Sequence, residues 1–347
     1  MTARVTAVQD DGPDLDWTTP GVYRCAPGVY RIPLPLPGDA LKAVNVYAIE
    51  DGGNAVTLVD AGWALADARD LLVDALAALG AGLGDVRGFL VTHAHRDHYT
   101  QAVALRREFG TPIALGRGEE QALAGIRDAH RESAHVPRLR RAGAQELADA
   151  IARWRISAEE LADWEPPDRW IDDGADVALT GRSLRAIHTP GHTRGHLVFA
   201  DEPGGLLFAG DHVLPSITPS IGFEAVPPPS PLADFLTSLE LLTTRPDAAL
   251  LPAHGAVGMR VHERVDALLE HHGVRLDATL AAVREGRGTA LEVAQVLPWT
   301  RRERRLDELD RMNAMLAVLE TAAHLDVLVQ RGALTVTDEG GTARYAV

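Results

Sequence analysis

Five short apolar runs each end in a loop that carries a histidine or an aspartate: AVTLVDAG with Asp60, GFLVTHAHRDH with His93 to His98, AIHTPGH with His192, GGLLFAGDH with Asp211, and AALLPAHG with His254. Apolar runs of this length between Gly, Pro and Asn read as buried strands. A rigid sheet positions the loops at its strand ends, which is where chemistry is usually carried. The chain is therefore expected to be built on sheets, with these loops as its working parts.

HAHRDH, residues 93 to 98, is the most crowded of them. Imidazole nitrogen and carboxylate oxygen suit Zn²⁺ and similar divalent ions. His93 and His95, two apart, can clasp one ion. Asp97 and His98 can turn to a second, His192 and His254 can complete the two sets, and Asp211 can bridge both. Other histidines, His130, His135, His262 and His272, lie in helical or loop sequence outside these loops and are read as ordinary side chains. His188 and His196 flank the TPGH loop and are ambiguous.

Around these runs the chain divides into regions. Residues 1–20 read as an N-terminal arm. Strand-like runs fill 21–60, and a helix covers 64–80. Residues 117–170, rich in Arg, Glu and Ala with helical periodicity, read as an all-helical insertion ending at EPPDRW, whose prolines break a helix. Residues 214–231 are too rich in Pro to be regular. From 259 to 347 helical patterns dominate, VHERVDALLEHHG and LDATLAAVREG among them. The chain closes on ALTVTDEGGTARYAV, a hairpin with a Gly-Gly turn. With 347 residues, two domains are expected, with a boundary near 258.

Composition narrows function further. The net charge is −15, from 49 acidic and 34 basic residues, which disfavours a general basic footprint for nucleic acid. RRERR at 301–305 is one candidate for a local basic patch. Cys25 is the sole cysteine, so no intramolecular disulfide can form; with no His or Asp close by in sequence it is read as incidental. The N-terminus lacks a signal-peptide core and no run reaches the roughly eighteen apolar residues of a membrane span, so a soluble, cytoplasmic protein is expected.

HAHRDH followed by His192, Asp211 and His254 in separate loops resembles the HxHxDH signature of the metallo-β-lactamase superfamily, over about residues 20–258. The resemblance implies an α+β fold, a four-layer αββα sandwich with the site at one edge of two facing sheets. It implies His93, His95 and His192 on one metal, Asp97, His98 and His254 on a second, Asp211 bridging, and Asp60 supporting the first ligand loop from behind. TPGHTRGH, FAGDHVL and the C-terminal segment resemble the branch containing beta-lactamase-like protein 2, in which 259–347 would be a small winged-helix-like domain. Enzymes of the superfamily with a Cys ligand near Asp211 find no counterpart here, so antibiotic hydrolysis is not expected.

These residues imply a hydrolase with two divalent ions, Zn²⁺ by default, Fe or Mn being able to use the same donors, and a metal-bound hydroxide attacking a carbonyl or phosphoryl centre. Asp97 would orient the nucleophile or take up a proton, with His188, His196 and Tyr99 as further candidates to support the ligands. A small ester, thioester or lactone is the expected substrate. The insertion and the Pro-rich loop would border the site, with Trp154, Trp164, Trp170 and Phe223 as candidate lining. Two rivals are an endoribonuclease of the beta-lactamase-like protein 2 type and a non-enzymatic winged-helix regulator. Residues 259–347 hold 12 basic and 14 acidic residues, so that segment lacks a basic footprint. It is read as a packing or dimerisation module, compatible with a homodimer.

Overall fold

The computed structural model of the chain describes residues 5, 7–12, 15–38, 40–128, 133–154, 157–300 and 302–347; His130 and Arg301 lie outside them. Two sheets carry the fold. The first holds eight strands side by side in chain order: β1 (Val8–Asp10), β2 (Val22–Ala26), β3 (Val29–Pro35), β4 (Ala43–Glu50), β5 (Val56–Val59), β6 (Val86–Val91), β7 (Ile113–Gly116) and β8 (Arg169–Ile171). The second holds β9 (Asp176–Leu179), β10 (Arg182–His188), β11 (Leu197–Asp201), β12 (Leu206–Gly210) and β13 (Ala249–Pro252), again in chain order.

The two sheets face each other across a shared core. Tyr47, Ile49, Val59 and Leu90 of the first meet Leu184, Phe199, Phe208 and Leu251 of the second. The opposite faces are covered too, which is why β5, β11 and β12 read as unbroken apolar runs rather than alternating ones. Helices α1 (Ala66–Ala78) and α2 (Arg96–Phe109) cover the first sheet. The insertion folds as α3 (Glu120–Arg127), α4 (His135–Arg141), α5 (Gln145–Ile151) and α6 (Ala158–Ala162), and α7 (Pro231–Thr243) follows the second sheet's fourth strand. The helical insertion stops sooner than expected, because Arg169 already begins β8.

The C-terminal segment comprises α8 (Val261–Arg284), α9 (Ala290–Val296), α10 (Arg311–Gln330) and a hairpin of β14 (Thr335–Glu339) and β15 (Thr342–Ala346). The two helical patterns that meet at Gly273 are one 24-residue helix, α8; a single interior glycine costs only about 1 kcal/mol relative to alanine, which packing overrides. The Gly340–Gly341 turn has both residues at positive φ, the geometry of a two-residue hairpin loop. Apolar residues of α4, α5, α7–α10 and β15 form one contiguous cluster with the outer face of the second sheet. Helix α10 corrects the expectation that no stretch has the length and apolarity of a membrane span: its mean hydropathy is 1.4, but 61% of that window is buried inside the fold, as in a core helix.

The N-terminal arm is less loose than its polar sequence suggests. Strand β1 pairs in parallel with β2. Asp11 then forms a bidentate pair with Arg31, at 2.6 and 2.9 Å, and the Arg31 and Asp11 side chains are 1% and 2% exposed. Arg31 also reaches Asn45 Oδ1 at 3.1 Å, and the Asn45 amide donates to the carbonyls of Pro252 and Gly255, both at 2.9 Å. The arm thus braces the loop that bears His254. Asp11→Ala strands a buried guanidinium and is expected to cost about 3–5 kcal/mol, measured as a fall in unfolding free energy in urea; a loss under about 1 kcal/mol would show that this pair contributes little.

Candidate metal centre

The strand directions explain why the ligand loops meet. Strands β5 and β6 are parallel, so Asp60 and the HAHRDH segment leave the first sheet on the same edge. Strands β12 and β13 are parallel, and β10 runs with them because both β10 and β12 are antiparallel to β11. His192, Asp211 and His254 therefore leave the second sheet on one edge. Two backbone bonds stitch the edges together: Leu197 N–H to Thr92 O at 2.8 Å and Asn45 N–H to Ala253 O at 2.7 Å.

HAHRDH divides its work by changing secondary structure. His93 and His95 sit in the turn after β6, and His95 is the N-cap residue of α2. Asp97 and His98 lie on that helix's first turn, where the positive end of the helix dipole suits a carboxylate. Two donor groups result among the described residues: His93, His95, His192 and Asp211, and beside them Asp97, His98 and His254.

In the first group, three imidazole nitrogens stand within 3.0 to 3.2 Å of each other: His93 Nε2, His95 Nδ1 and His192 Nε2. The outer nitrogen of each ring fixes its tautomer. His192 Nδ1–H donates to Ser220 O at 2.6 Å and His95 Nε2–H to Phe223 O at 2.8 Å. Thr92 Oγ1 lies 3.0 Å from both oxygens of Asp60, to which its O–H donates, and so accepts from His93 Nδ1–H at 3.0 Å. Each inner nitrogen is left with a lone pair and no proton to share. Three lone pairs aimed at one point repel unless a cation lies between them. Their separations approach the roughly 3.3 Å edge of a tetrahedron with Zn–N bonds of about 2.0–2.1 Å.

The second group has the same logic. His98 Nδ1–H donates to Asp60 Oδ2 at 2.9 Å and His254 Nδ1–H to Ala43 O at 2.8 Å. That leaves His98 Nε2, His254 Nε2 and Asp211 Oδ1 buried with no hydrogen-bond partner among the described residues. Asp211 spans the groups: Oδ2 is 3.5 Å from His192 Nε2, and Oδ1 is 3.3 Å from His254 Nε2 and 3.6 Å from His98 Nε2. Asp97 Oδ2 is 3.4 Å from His254 Nε2 and 3.6 Å from His98 Nε2.

Charge follows geometry. Burial, and then the neighbouring histidines, hold His93 well below its ordinary pKa and bring His95 to about 3. Burial also opposes charge on His98, but the carboxylates of Asp97, Asp60 and Asp211 outweigh it and lift that imidazole to about 10. His254 is raised in the same way against its burial, by Asp211 and Asp97. The carboxylates thus demand positive charge, supplied by protons or by cations that displace them. The residues present fit divalent metal ions.

The supporting residues fall out unevenly. Asp60, at φ 61°, accepts from Thr92 N–H at 2.8 Å as well as from Thr92 Oγ1 and His98. His196 lies beneath the floor: its ring stacks on His93 with centroids 5.0 Å apart, and its Nε2 accepts from the Asp211 amide at 3.2 Å. Gly210 makes that approach possible, since a Cβ there would come within 2.7 Å of His196 Nε2. His188 closes the TPGH loop through Arg194 O at 2.8 Å and stands outside both donor groups. Tyr99 is not brought to the centre; its hydroxyl donates to Glu165 O at 2.6 Å and its ring stacks on Trp164.

Of the four aromatics expected to line the site, Phe223 comes near it, 5.9 Å from the His95 ring, with the His135 ring stacked on it at 4.9 Å. Trp164 and Trp170 pack against the core of the first sheet, and Trp154 is exposed. His272 bonds His324 within the helical cluster, and His262 bonds Leu242 O. Cys25 is largely buried near Asp11, and both influences push its thiol up, which removes it as a nucleophile. Sequence reasoning missed Thr92 and the carbonyls of Ala43, Ser220 and Phe223, because a backbone acceptor leaves no mark in residue type. The Pro-rich loop is accordingly part of the support for the first donor group, through Ser220 and Phe223.

Comparison with known proteins agrees with this geometry. The sequence profile of the metallo-beta-lactamase superfamily matches residues 40–254. The probable metallo-hydrolase YqjP of Bacillus subtilis is 26% identical over 327 residues, 91% of this chain and 96% of that protein. A beta-lactamase-like protein 2 homolog of Caenorhabditis elegans is 34% identical over 33% of this chain and 37% of its own length. An atrochrysone carboxyl ACP thioesterase of Aspergillus fumigatus is 25% identical over 76% of this chain and 51% of its own. Among solved structures, a beta-lactamase domain protein from Burkholderia ambifaria aligns with a TM-score of 0.80 at 27% identity, over 97% of each chain. Sandwich, converging ligand loops and matched profile agree: the chain belongs to the metallo-beta-lactamase superfamily.

Proposed function

We propose that this metallo-hydrolase works with two divalent ions, Zn²⁺ by default, on a small ester, thioester or lactone. The observation that carries the reading is the pair of adjoining donor groups, five imidazoles with their lone pairs turned inward, joined by Asp211. When bound, such ions activate water at neutral pH and polarise a substrate carbonyl.

The chain's own residues divide the remaining tasks. The five outer-nitrogen hydrogen bonds hold the rings in place before substrate arrives, so little reorganisation is needed during reaction. Burial disfavours charge on Asp97, but His98 and His254 hold its carboxyl well below the usual range, so it is ionised at neutral pH. Its side chain is 18% exposed against 9% for Asp211. Asp97, ionised and the more exposed of the two carboxylates, is assigned here to orient the attacking water as a hydrogen-bond acceptor. Phe223, stacked with His135, offers an apolar wall beside His95 for an acyl group.

The thioester reading draws support from the Aspergillus relative named as a thioesterase; the net charge of −15 weighs against RNA. Zn²⁺-loaded protein is expected to cleave an acyl-N-acetylcysteamine thioester, a p-nitrophenyl ester or an acyl lactone. A kcat/KM of at least about 10³ M⁻¹s⁻¹ is expected, just under the usual enzyme range because these compounds are surrogates. Cleavage of single-stranded RNA with none of the three acyl compounds turned over would replace this substrate class.

A further inference from the structure

We infer that Glu119 is a positioning residue for the first donor group, a buried carboxylate latch that joins the loop of His93 and His95 to the loop of His192. This rests on the metal-centre reading above. Glu119 ends the short turn Arg117–Glu119 that follows β7 and is fully buried. Its Oε1 accepts from the hydroxyl of Thr193, the residue after His192. The amides of Ala94, between His93 and His95, and of Gly195 face the same carboxylate. Its second oxygen, Oε2, is buried and has no hydrogen bond of good geometry among the described residues.

Backbone contact sets the approach. A Cβ on Gly195 would fall 2.2 Å from Glu119 N, and one on Gly118 would fall 2.6 Å from the Gly195 Cα. Glycine at both places lets the two chain segments touch, and Glu119 is delivered between the loops. Glu224 also holds the loop of His192. It accepts from Arg194 N–H at 2.9 Å and directly follows Phe223, whose carbonyl holds His95. Arg194 Nε is 4.0 Å from Glu224 and makes no close pair.

Burying a carboxylate is costly unless its bonds repay the loss of water. The hydrogen bond of good geometry to Glu119 comes from Thr193, beside His192, and the nearby Ala94 and Gly195 amides add their dipoles, so what the carboxylate stabilises is the spacing of the His93, His95 and His192 imidazoles. Nothing in the proposed hydrolytic chemistry needs Glu119 at the reacting atoms.

The test is competition titration of the metal-stripped full-length chain with Zn²⁺ against a chromogenic chelator, with the constant belonging to the first group identified by its loss in His192→Ala. Glu119→Ala is expected to weaken that constant about 10–100-fold and to leave the second within about threefold, while Glu119→Gln, which keeps an acceptor for Thr193, recovers most of the loss. Thr193→Val, which removes only the hydroxyl donor, gives a smaller loss in the same constant and covers the case in which Glu119→Ala does not fold. Wild type binding two ions with both constants unmoved in Glu119→Ala and Thr193→Val, or moved equally, would overturn the latch. Wild type binding no Zn²⁺ would instead remove the metal-centre reading, and the latch with it.

Discussion

Asp211→Ala is expected to lower bound metal from about two ions per chain to below one and to reduce hydrolysis at least about 10³-fold, because one carboxylate serves both donor groups. Oδ2 faces His192 of the first group, and Oδ1 faces His98 and His254 of the second. Deleting it removes an anionic donor from each side at once and leaves five imidazoles to face two cations with Asp97 as the remaining ligand carboxylate. The backbone amide of Asp211 still donates to His196, so the loop keeps its anchor. Elemental analysis and initial rates on wild type and variant, with circular dichroism to confirm folding, check this. A variant that keeps two ions and near-normal rates would mean that Asp211 does not bridge.

Asp60→Ala is expected to destabilise the metal-stripped chain by several kcal/mol and to weaken the second donor group's affinity about 10–100-fold. Asp60 touches no ion position, yet Thr92 N–H, Thr92 Oγ1 and His98 Nδ1 all donate to it in a buried setting. Without it three buried donors lose their acceptor, each costing about 1–3 kcal/mol. His98 becomes free to swap tautomers or turn, and Thr92 no longer fixes His93. Asp60→Asn separates charge from shape. Asparagine tolerates the left-handed backbone at φ 61° and keeps one acceptor, but its amide hydrogens oppose one of the donors. It should fall between wild type and alanine in both urea midpoint and Zn²⁺ affinity. An alanine variant within about 1 kcal/mol of wild type would show that this network is slack.

Much of this centre is legible in sequence because several strand-end loops bearing histidine or aspartate rarely occur together unless they share a ligand. The runs were legible as strands, and the two facing sheets were what the family resemblance implied. What the sequence hid has three physical sources. Backbone carbonyls at Ala43, Ser220 and Phe223 orient three of the five imidazoles, and a carbonyl belongs to every residue alike. Long-range polar contacts, such as Asp11 with Arg31 and Glu119 with Thr193, join segments whose spacing carries no periodic signal. Aromatic residues announce burial but not where: Trp164 and Trp170 fill the first sheet's outer core, and Tyr99 turns away with them. Gly273 looked like a helix end, and the packing of α8 along the helical cluster carries the helix through it.

The most direct test is metal stoichiometry. The wild-type chain would be stripped with chelator, equilibrated with excess Zn²⁺ near neutral pH, freed of unbound metal and measured by elemental analysis against protein concentration. About two ions per chain is the result required by two adjoining donor groups with Asp211 between them. One ion or none under these conditions would contradict a dinuclear centre, whatever the protein hydrolyses.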